Sequence, residues 1–259
     1  MKLLAQSDDY GITRAQALGC LDAIRHGIIR NTGMFTNMPW AAEVVEWIRP
    51  YLNDIAFGVD LNASTGPALL PKEEIPSLVH DDGTFLTSRE NRALDTAENE
   101  YDHVVYEDLY KEFEAQIQKY IELVGKKPDY LHGHAYGTET TRQVSLDLAH
   151  KYGVPYSMTV IEQNGGRSQM SWYINPPTYE NQVKSSLEDF LLEDKGGYLG
   201  KEFAALICHT GYVDKTIFEL SSYNIYRAMD LAAVTSPKVL QWVKDNNIEL
   251  ITYKDVKLK

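Results

Sequence analysis

The sequence is poor in cysteine and in long apolar runs. Its 259 residues include two cysteines, Cys20 and Cys208, which provide no disulfide framework and fit a reducing compartment. No run of about eighteen apolar residues occurs that could span a membrane. The apolar segment Met1–Ala5 is too short for a signal peptide and is soon interrupted by Asp8 and Asp9. We therefore expect a cytoplasmic protein without a membrane span.

Basic residues are scarce relative to acidic ones. Lysine and arginine number 25 against 37 aspartates and glutamates, which gives a formal net charge of −12 at pH 7. Because nucleic acids and anionic membranes attract basic surfaces, this balance argues against either as the main partner. A hydrophobic content of 44% is ordinary for a globular protein, and the length allows one α/β domain with a substantial core.

The segment Leu3–Gly11 joins a short apolar run to two adjacent carboxylates, an aromatic residue and a glycine. The apolar run predicts a buried strand, and Gly11 permits a sharp exit from it. Asp8 and Asp9 then lie at the C-terminal end of a strand, the edge where α/β proteins assemble their sites. Since neighbouring residues leaving a strand point in different directions, we expect one carboxylate to bind a cation and the other to transfer a proton. The alternative is an Asx turn followed by a helix cap.

Strand and helix patterns alternate along the chain. Seven strands are predicted, at Leu3–Ala5, Asn31–Thr36, Ile55–Leu61, Tyr130–His134, Pro155–Ile161, Phe203–Cys208 and Glu249–Thr252. Helices between them are indicated by capping residues, namely Thr13 and Ser236 at N-termini and Gly27, Gly125 and Gly153 at C-termini. The alternation predicts a parallel sheet with right-handed crossovers. We favour a single domain spanning residues 1–259, a TIM-like (β/α) barrel of seven parallel strands.

Periodicity fails between residues 62 and 103, a segment we call the excursion. Pro67, Pro71 and Pro76 are followed there by Asp81-Asp82-Gly83 and a charged tract. A connection of this length is usually functional rather than slack. We interpret the excursion either as a lid over the site or as a contact within a homodimer.

Five side chains follow the C-terminal ends of four predicted strands, namely Asp8, Asp9, Asp60, His134 and His209. In a barrel these ends converge on one mouth. Asp9, Asp60 and His134 would give two carboxylates and an imidazole for a divalent cation, with positions left open for water and substrate. Asp8 would then act as general base, and His209 would protonate the leaving group.

Each of these residues also has a purely structural interpretation. Asp60 alone would be a turn carboxylate and His209 a hydrogen-bonded histidine, so the combination carries the metal hypothesis. A thiol nucleophile at Cys208 is rejected because adjacent strand residues face opposite sides, which turns Cys208 into packing. A glycosidase using Asp8 and Asp60 is a weaker alternative, since the histidines would have no role in it.

The motifs resemble those of the YdjC-like carbohydrate deacetylases, which include the chitooligosaccharide deacetylases. Ser7–Gly11 is similar to the family pattern Ala-Asp-Asp-Phe-Gly, and Gly58–Asn62 to Gly-Leu-His-Leu-Thr. His132–His134 lies at the pattern Asp-Ser/Gly-His, and Cys208–Asp214 is similar to Cys-His-Pro-Gly-Tyr-Val-Asp. The similarity runs nearly end to end. It implies a (β/α) barrel related to the polysaccharide deacetylases, and a metal-dependent hydrolase that removes acetyl groups from N-acetylated sugars.

The resemblance also implies roles for individual residues. By position, Asp8 matches the proposed base and His209 the proposed acid. Asp9 and His134 match two metal ligands, and Tyr223 and Arg227 would lie near the substrate. Aromatic residues of predicted loops, such as Tyr136 and Tyr212, present flat faces that can stack on sugar rings. The alternative for each is packing against the barrel.

Two departures from the family patterns affect the predicted metal site. Asp60 stands where the family has a metal-binding histidine, and His132 stands where it has an aspartate; Tyr136 and Thr138 replace further histidines. With Asp60 as a ligand, the set carries two negative charges and favours magnesium or manganese over zinc. Without it, we expect a relative that binds a sugar or sugar phosphate and does not turn it over. A third hypothesis is a metal hydrolase that acts on a different bond.

Overall fold

A computed structural model describes residues 1–95, 102–165 and 170–256 and shows one parallel sheet. Six strands occur in these ranges: β1 (Lys2–Tyr10), β2 (Asn31–Met34), β3 (Ala56–Leu61), β4 (Leu131–Gly133), β5 (Phe203–Cys208) and β6 (Glu249–Ile251). Their order is β4-β3-β2-β1-β5, and β6 pairs with the first residues of β1. The predicted α/β fold with a parallel sheet is confirmed.

Helices fill the connections between the strands. The described ranges contain α1 (Arg14–His26), α2 (Ala41–Ile48), α3 (Ser88–Leu94), α4 (Tyr106–Val124), α5 (Glu139–Tyr152), α6 (Ser157–Gln163), α7 (Tyr179–Lys184), α8 (Leu187–Leu192), α9 (Lys215–Leu220), α10 (Ile225–Val234) and α11 (Pro237–Asp245), with 3₁₀ helices at Arg49–Tyr51 and Tyr253–Asp255. Within the part of the chain that is described, no helix is both long enough and apolar enough to cross a membrane.

The predicted fifth strand is wrong. Leu131 of β4 makes one isolated bridge to Tyr156, and the chain then continues as helix α6. A short apolar run such as Pro155–Ile161 fits a strand and a buried helix equally well, so its pattern alone does not decide. Seven strands and a closed barrel are therefore not confirmed: among the described residues the sheet has six strands, with β4 and β5 at its two edges.

Most of the predicted helix caps are confirmed. Side-chain caps occur at Thr13 and Ser236, and left-handed glycine caps at Gly125 and Gly153. The left-handed cap predicted at Gly27 is wrong, because its φ is −120°. A glycine is needed there for space instead: a Cβ would lie 2.7 Å from the carbonyl oxygens of both Ala23 and Val234.

The described part of the excursion is ordered by local structure. It contains helix α3, which the sequence pattern does not predict and which begins with a capping box between Thr87 and Glu90. Two antiparallel bridges, Pro67 to Thr84 and Val79 to Phe85, close a turn before it. Residues 96–101 lie outside the described residues. A homodimer contact through the excursion stays a prediction.

Buried side chains of α4 fasten the start of the excursion. The carboxylate of Glu112 accepts hydrogen bonds from the backbone N–H groups of Leu69 at 3.1 Å and Leu70 at 3.0 Å. Gln116 accepts from the N–H of Asn62 at 2.9 Å and donates to its carbonyl oxygen at 2.7 Å. These bonds satisfy backbone groups that would otherwise be buried without partners.

Stability should depend on pH through Glu112. Burial raises the pKa of Glu112 to about 7, against the opposing hydrogen bonds from Gln116, Leu69 and Leu70. Between the ordinary glutamate pKa and 7, the folded protein binds more protons than the unfolded chain, so its free energy of unfolding falls as pH rises through this range. Glu112→Gln carries no charge. The free energy of unfolding of this variant minus that of the native protein, both measured with urea, should therefore rise by about 2 kcal/mol between pH 5 and pH 8.

The matched control for that experiment is Glu122→Gln, at an exposed position of the same helix. Its stability relative to the native protein should stay constant over the same pH range. An equal pH dependence of Glu112→Gln and the native protein would contradict the argument.

Candidate active site

The end of β1 has an irregular backbone that separates the two aspartates. The register with β2 shifts between Ser7 and Tyr10, and Asp9 adopts a left-handed φ of 68°. That conformation is uncommon for a residue other than glycine. The N–H of Asp9 donates to Asp60 Oδ2 at 2.6 Å, which holds the turn. Strained backbone of this kind concentrates at functional sites.

Asp9 lies between two positively charged or protonatable partners. Its Oδ2 accepts a hydrogen bond from Arg227 Nη2 at 2.7 Å, and its Oδ1 is 2.7 Å from His134 Nδ1. Burial alone would raise the pKa of Asp9, but the charges of His134 and Arg227 hold it well below its ordinary value. Asp9 is therefore an ionised, almost fully buried carboxylate.

Asp8 faces the other way and has a different set of partners. Gln6 Nε2 donates to its Oδ1 at 2.5 Å, and His132 Nε2 is 3.3 Å from its Oδ2. Burial alone would raise the pKa of Asp8, but the neighbouring His132 and His209 keep this pKa below its ordinary value. The two predicted carboxylates thus occupy distinct environments, as expected from their divergence at the strand end.

His209 lies beside both aspartates. Its Nε2 is 3.9 Å from Asp8 Oδ2 and 3.9 Å from Asp9 Oδ2. On the opposite side of the ring, Nδ1 is 3.0 Å from the hydroxyl oxygen of Tyr173, and this hydroxyl donates to Asp230. That arrangement leaves Nδ1–H as the donor to Tyr173 and directs Nε2 to the carboxylates. Burial lowers the pKa of His209, and the charges of Asp9 and Asp8 oppose the change.

Sequence reasoning missed Asp230 and the role of Tyr173. Asp230 Oδ2 also accepts the backbone N–H of His209 at 3.0 Å, and its Oδ1 accepts from Trp172 Nε1 at 3.0 Å. Burial raises the pKa of Asp230 to about 7. Asp230 lies on α10 in no recognisable motif, and no signal in the sequence points to it.

Asp60 contacts the backbone of Asp9 and does not share the side-chain partners of Asp9. Its Oδ2 is occupied by the Asp9 N–H, and its Oδ1 lies so close to β2 that a Cβ on Gly33 would be 1.7 Å away. Burial and the charge of Asp8 raise the pKa of Asp60 well above its ordinary value. Among the described residues, no group of three or more His, Cys, Asp and Glu side chains is arranged to hold a metal ion. Asp60 as a third ligand stays a prediction.

The two family departures are neighbours in the sheet. Asp60 and His132 are register partners in the pairing of β3 with β4. If the family carries a histidine and an aspartate at these positions, as the resemblance implies, the imidazole and the carboxylate are exchanged across adjacent strands in this chain. Burial alone would lower the pKa of His132, but the charges of Asp8, Asp60 and Asp9 raise this pKa to about 9.

The excursion reaches the site through Thr65. Its Oγ1 is 3.3 Å from His134 Nε2, while its carbonyl oxygen accepts hydrogen bonds from the side chains of Asn37 at 3.0 Å and Asn62 at 2.7 Å. The ring of Phe35 meets His134 edge-on, with centroids 4.7 Å apart. The orientation of His134 is thus fixed from both sides.

The predicted substrate residues divide into two groups. Tyr223 packs near the site, with its ring centroid 6.0 Å from that of His209, and Arg227 bonds to Asp9. Tyr136 is 4% exposed and donates to both carboxylate oxygens of Asp95 at 2.8 Å, beneath the excursion. Tyr212 is 45% exposed and donates to Asp22 of α1. Substrate contacts by Tyr136 and Tyr212 stay predictions.

Asp9 and His134 form a donor pair that fits a divalent cation. Asp9 Oδ1 is buried and accepts no hydrogen bond of acceptable geometry, although His134 Nδ1 is 2.7 Å away. A carboxylate oxygen and an imidazole nitrogen are ligands that magnesium, manganese and zinc accept in proteins. The unsatisfied oxygen is what a bound cation would satisfy.

Comparisons with known proteins agree along the whole chain. A family model described as YdjC-like protein matches residues 2–245. A protein of Listeria innocua named Carbohydrate deacetylase 2 is 27% identical over 262 residues, covering 100% of both chains. A Thermoanaerobacter pseudethanolicus protein named Carbohydrate deacetylase is 27% identical over 261 residues, covering 98% of this chain and 99% of the other.

One solved structure shares the fold over its full length. It is an Enterococcus faecalis protein provisionally assigned to cellobiose-phosphate cleavage, with a TM-score of 0.77 and 24% identity. The superposition covers 98% of this chain and 97% of the other.

Proposed function

Because this chain belongs to the YdjC-like protein family, we propose that it is a carbohydrate deacetylase that hydrolyses the acetamide of an N-acetylated sugar. The substrate class we propose is a chitooligosaccharide or a related sugar, with or without a phosphate. The names of its relatives support the reaction. The observation that carries it is the approach of His209 Nε2 to Asp8 Oδ2, at 3.9 Å, beside the Asp9–His134 pair.

The two groups are suited to the two proton transfers of amide hydrolysis. Ionised Asp8 accepts a proton from the water that attacks the acetamide carbonyl carbon, as the new C–O bond forms. Asp8 passes this proton to the neighbouring His209 Nε2, and His209 gives it to the amine nitrogen as the C–N bond breaks, which returns both groups to their starting states. Acetate and the amino sugar are the products. Tyr173 and Asp230 hold the far side of the His209 ring, so that Nε2 keeps facing the reacting atoms.

We further propose a divalent cation, magnesium, zinc or manganese, held by Asp9 and His134. Its chemistry there would be stabilisation of negative charge on the carbonyl oxygen. Arg227 keeps Asp9 ionised and leaves its Oδ1 free, and Thr65 orients the His134 ring. Partners of this kind around metal ligands tune the affinity of the site.

A second candidate function is binding of a sugar without turnover. The arrangement of Asp60 favours it, since this carboxylate is bonded to the Asp9 backbone and the described residues form no three-ligand group. A site with too few ligands would bind a cation weakly and catalyse poorly.

Metal content and acetate release from N,N′-diacetylchitobiose test the proposal together. We expect the native protein to bind one cation and to release acetate, and His134→Ala to lose both. His150→Ala, at an exposed position of α5, is the matched control and should keep both. Asp60→Ala then decides the ligand set, since metal loss in that variant identifies Asp60 as a ligand.

The outcomes separate the hypotheses. No bound metal and no acetate with any added divalent ion would overturn the deacetylase and leave a sugar-binding protein. New reducing ends without acetate would identify a hydrolase acting on a different bond.

A further inference from the structure

A buried chain of side chains below the site holds Asp8 by both oxygens. On one side, Tyr253 donates to Gln6 Oε1 at 2.6 Å, and Gln6 Nε2 donates to Asp8 Oδ1 at 2.5 Å. On the other side, Ser157 Oγ is 2.6 Å from His132 Nδ1, and His132 Nε2 is 3.3 Å from Asp8 Oδ2. Each carboxylate oxygen therefore faces one nitrogen donor.

Three of these supporting residues are out of reach of a substrate. Gln6 and Ser157 are fully buried and Tyr253 is 2% exposed, whereas His132 is 7% exposed, much as Asp8 is at 6%. Ser157 is the first residue of α6, in the segment that the sequence pattern predicts as a strand, and the helix start brings its hydroxyl under the imidazole. Any effect of Gln6, Ser157 and Tyr253 on a reaction must therefore pass through the side chains that they contact, which lead to Asp8.

We infer that His132 is a positioning residue, which aims the Asp8 carboxylate at the reacting water and is itself fixed by Ser157. Nε2 carries a proton toward Asp8 in either state of the ring: Ser157 Oγ donates to Nδ1 of a neutral ring and accepts the Nδ1–H of a charged one. Without the imidazole of His132, Asp8 Oδ2 keeps the Nε2 of His209 beside it, at 3.9 Å. The carboxylate would then turn from its place toward the proposed acid. This inference rests on the proposed function, because Asp8 acts on a substrate only there.

Two substitutions of His132 separate positioning from packing. His132→Gln keeps an N–H donor directed at Asp8, whereas His132→Leu fills comparable space without one. We expect His132→Leu to lower kcat for acetate release from N,N′-diacetylchitobiose about 10–100-fold with KM within about threefold, since small misplacements of a reacting group cost this much. His132→Gln should recover at least about tenfold of the loss. Ser157→Ala, a small change that should fold normally, is expected to lower kcat about tenfold.

Two kinetic results would overturn the inference. One is a kcat within about twofold of the native protein in both His132→Leu and Ser157→Ala. The other is a raised KM at unchanged kcat, which would place His132 in contact with substrate.

Crystal structures of the two His132 variants keep the inference testable even if the native protein releases no acetate. A native protein that releases no acetate would overturn the proposed function and leave the positioning of Asp8 by His132 to be tested. The Asp8 carboxylate should then be rotated in His132→Leu and unmoved in His132→Gln. An identical Asp8 orientation in both variants would overturn the positioning role.

Discussion

Arg227→Met should lower the free energy of unfolding by about 3–5 kcal/mol. Arg227 Nη2 and Asp9 Oδ2 are 2.7 Å apart, and both side chains are 1% exposed. Removing the guanidinium leaves a buried carboxylate that has lost its permanent counter-charge. The cost comes from that uncompensated charge, because the net contribution of an intact buried ion pair is small. Urea unfolding at pH 7 measures it.

Two further variants isolate the charge as the cause. Arg14→Met removes an exposed partner of Glu43, with 54% of the Arg14 side chain accessible, and should cost under about 1 kcal/mol. The double variant Asp9→Asn/Arg227→Met should recover most of the stability lost in the single variant, since both halves of the pair are then neutral. A loss in Arg227→Met no larger than in Arg14→Met would contradict the argument.

The placement of Asp8, Asp9, His134 and His209 could be predicted because it depends on chain-local patterns. Each follows an apolar run that forms a strand, and the C-terminal ends of parallel strands share one edge of the sheet. The different directions of the Asp8 and Asp9 side chains follow from the same patterns, since adjacent residues at a strand end diverge. The predicted meeting of these four side chains is what the structure shows.

The fate of Asp60 could not be predicted, because it depends on side-chain reach. The pattern puts a residue at the end of β3, facing the site, and a family histidine there would extend further than an aspartate. The shorter carboxylate reaches the N–H of Asp9, which is exposed by the left-handed turn at that residue. Backbone strain at Asp9 has no signature in the sequence, since aspartate is not the residue that ordinarily marks a positive φ.

The supporting contacts were beyond prediction for a different reason. His132 meets Ser157 across 25 residues, and Tyr173 meets Asp230 across 57. Periodicity reports on neighbours within a turn or a strand, and such distant pairs leave no trace in it. The erroneous strand at Pro155–Ile161 has a local origin, because a short apolar run fits a strand and a buried helix equally well.

Loss of the proposed base should separate an enzyme from a binding protein. Asp8 is ionised and held at both oxygens, so its replacement by the isosteric asparagine removes the proton acceptor with little change of shape. The substrate is held by other groups, and its affinity depends little on where a water proton goes. A deacetylase then loses turnover and keeps binding, whereas a protein that only binds sugars has no turnover to lose.

Asp8→Asn should therefore reduce kcat for acetate release by about 10²–10⁴-fold, the usual contribution of general base catalysis. Calorimetric titration with N,N′-diacetylchitobiose should give a Kd within about threefold of the native value. Asp22→Asn, which removes a charge on α1 and keeps an acceptor for the Tyr212 hydroxyl, is the control and should change neither quantity. Unchanged kcat in Asp8→Asn would show that another group accepts the proton. A lost affinity at unchanged kcat would instead place Asp8 in contact with the sugar, which leaves His209 as the proton-transferring group beside the Asp9–His134 pair.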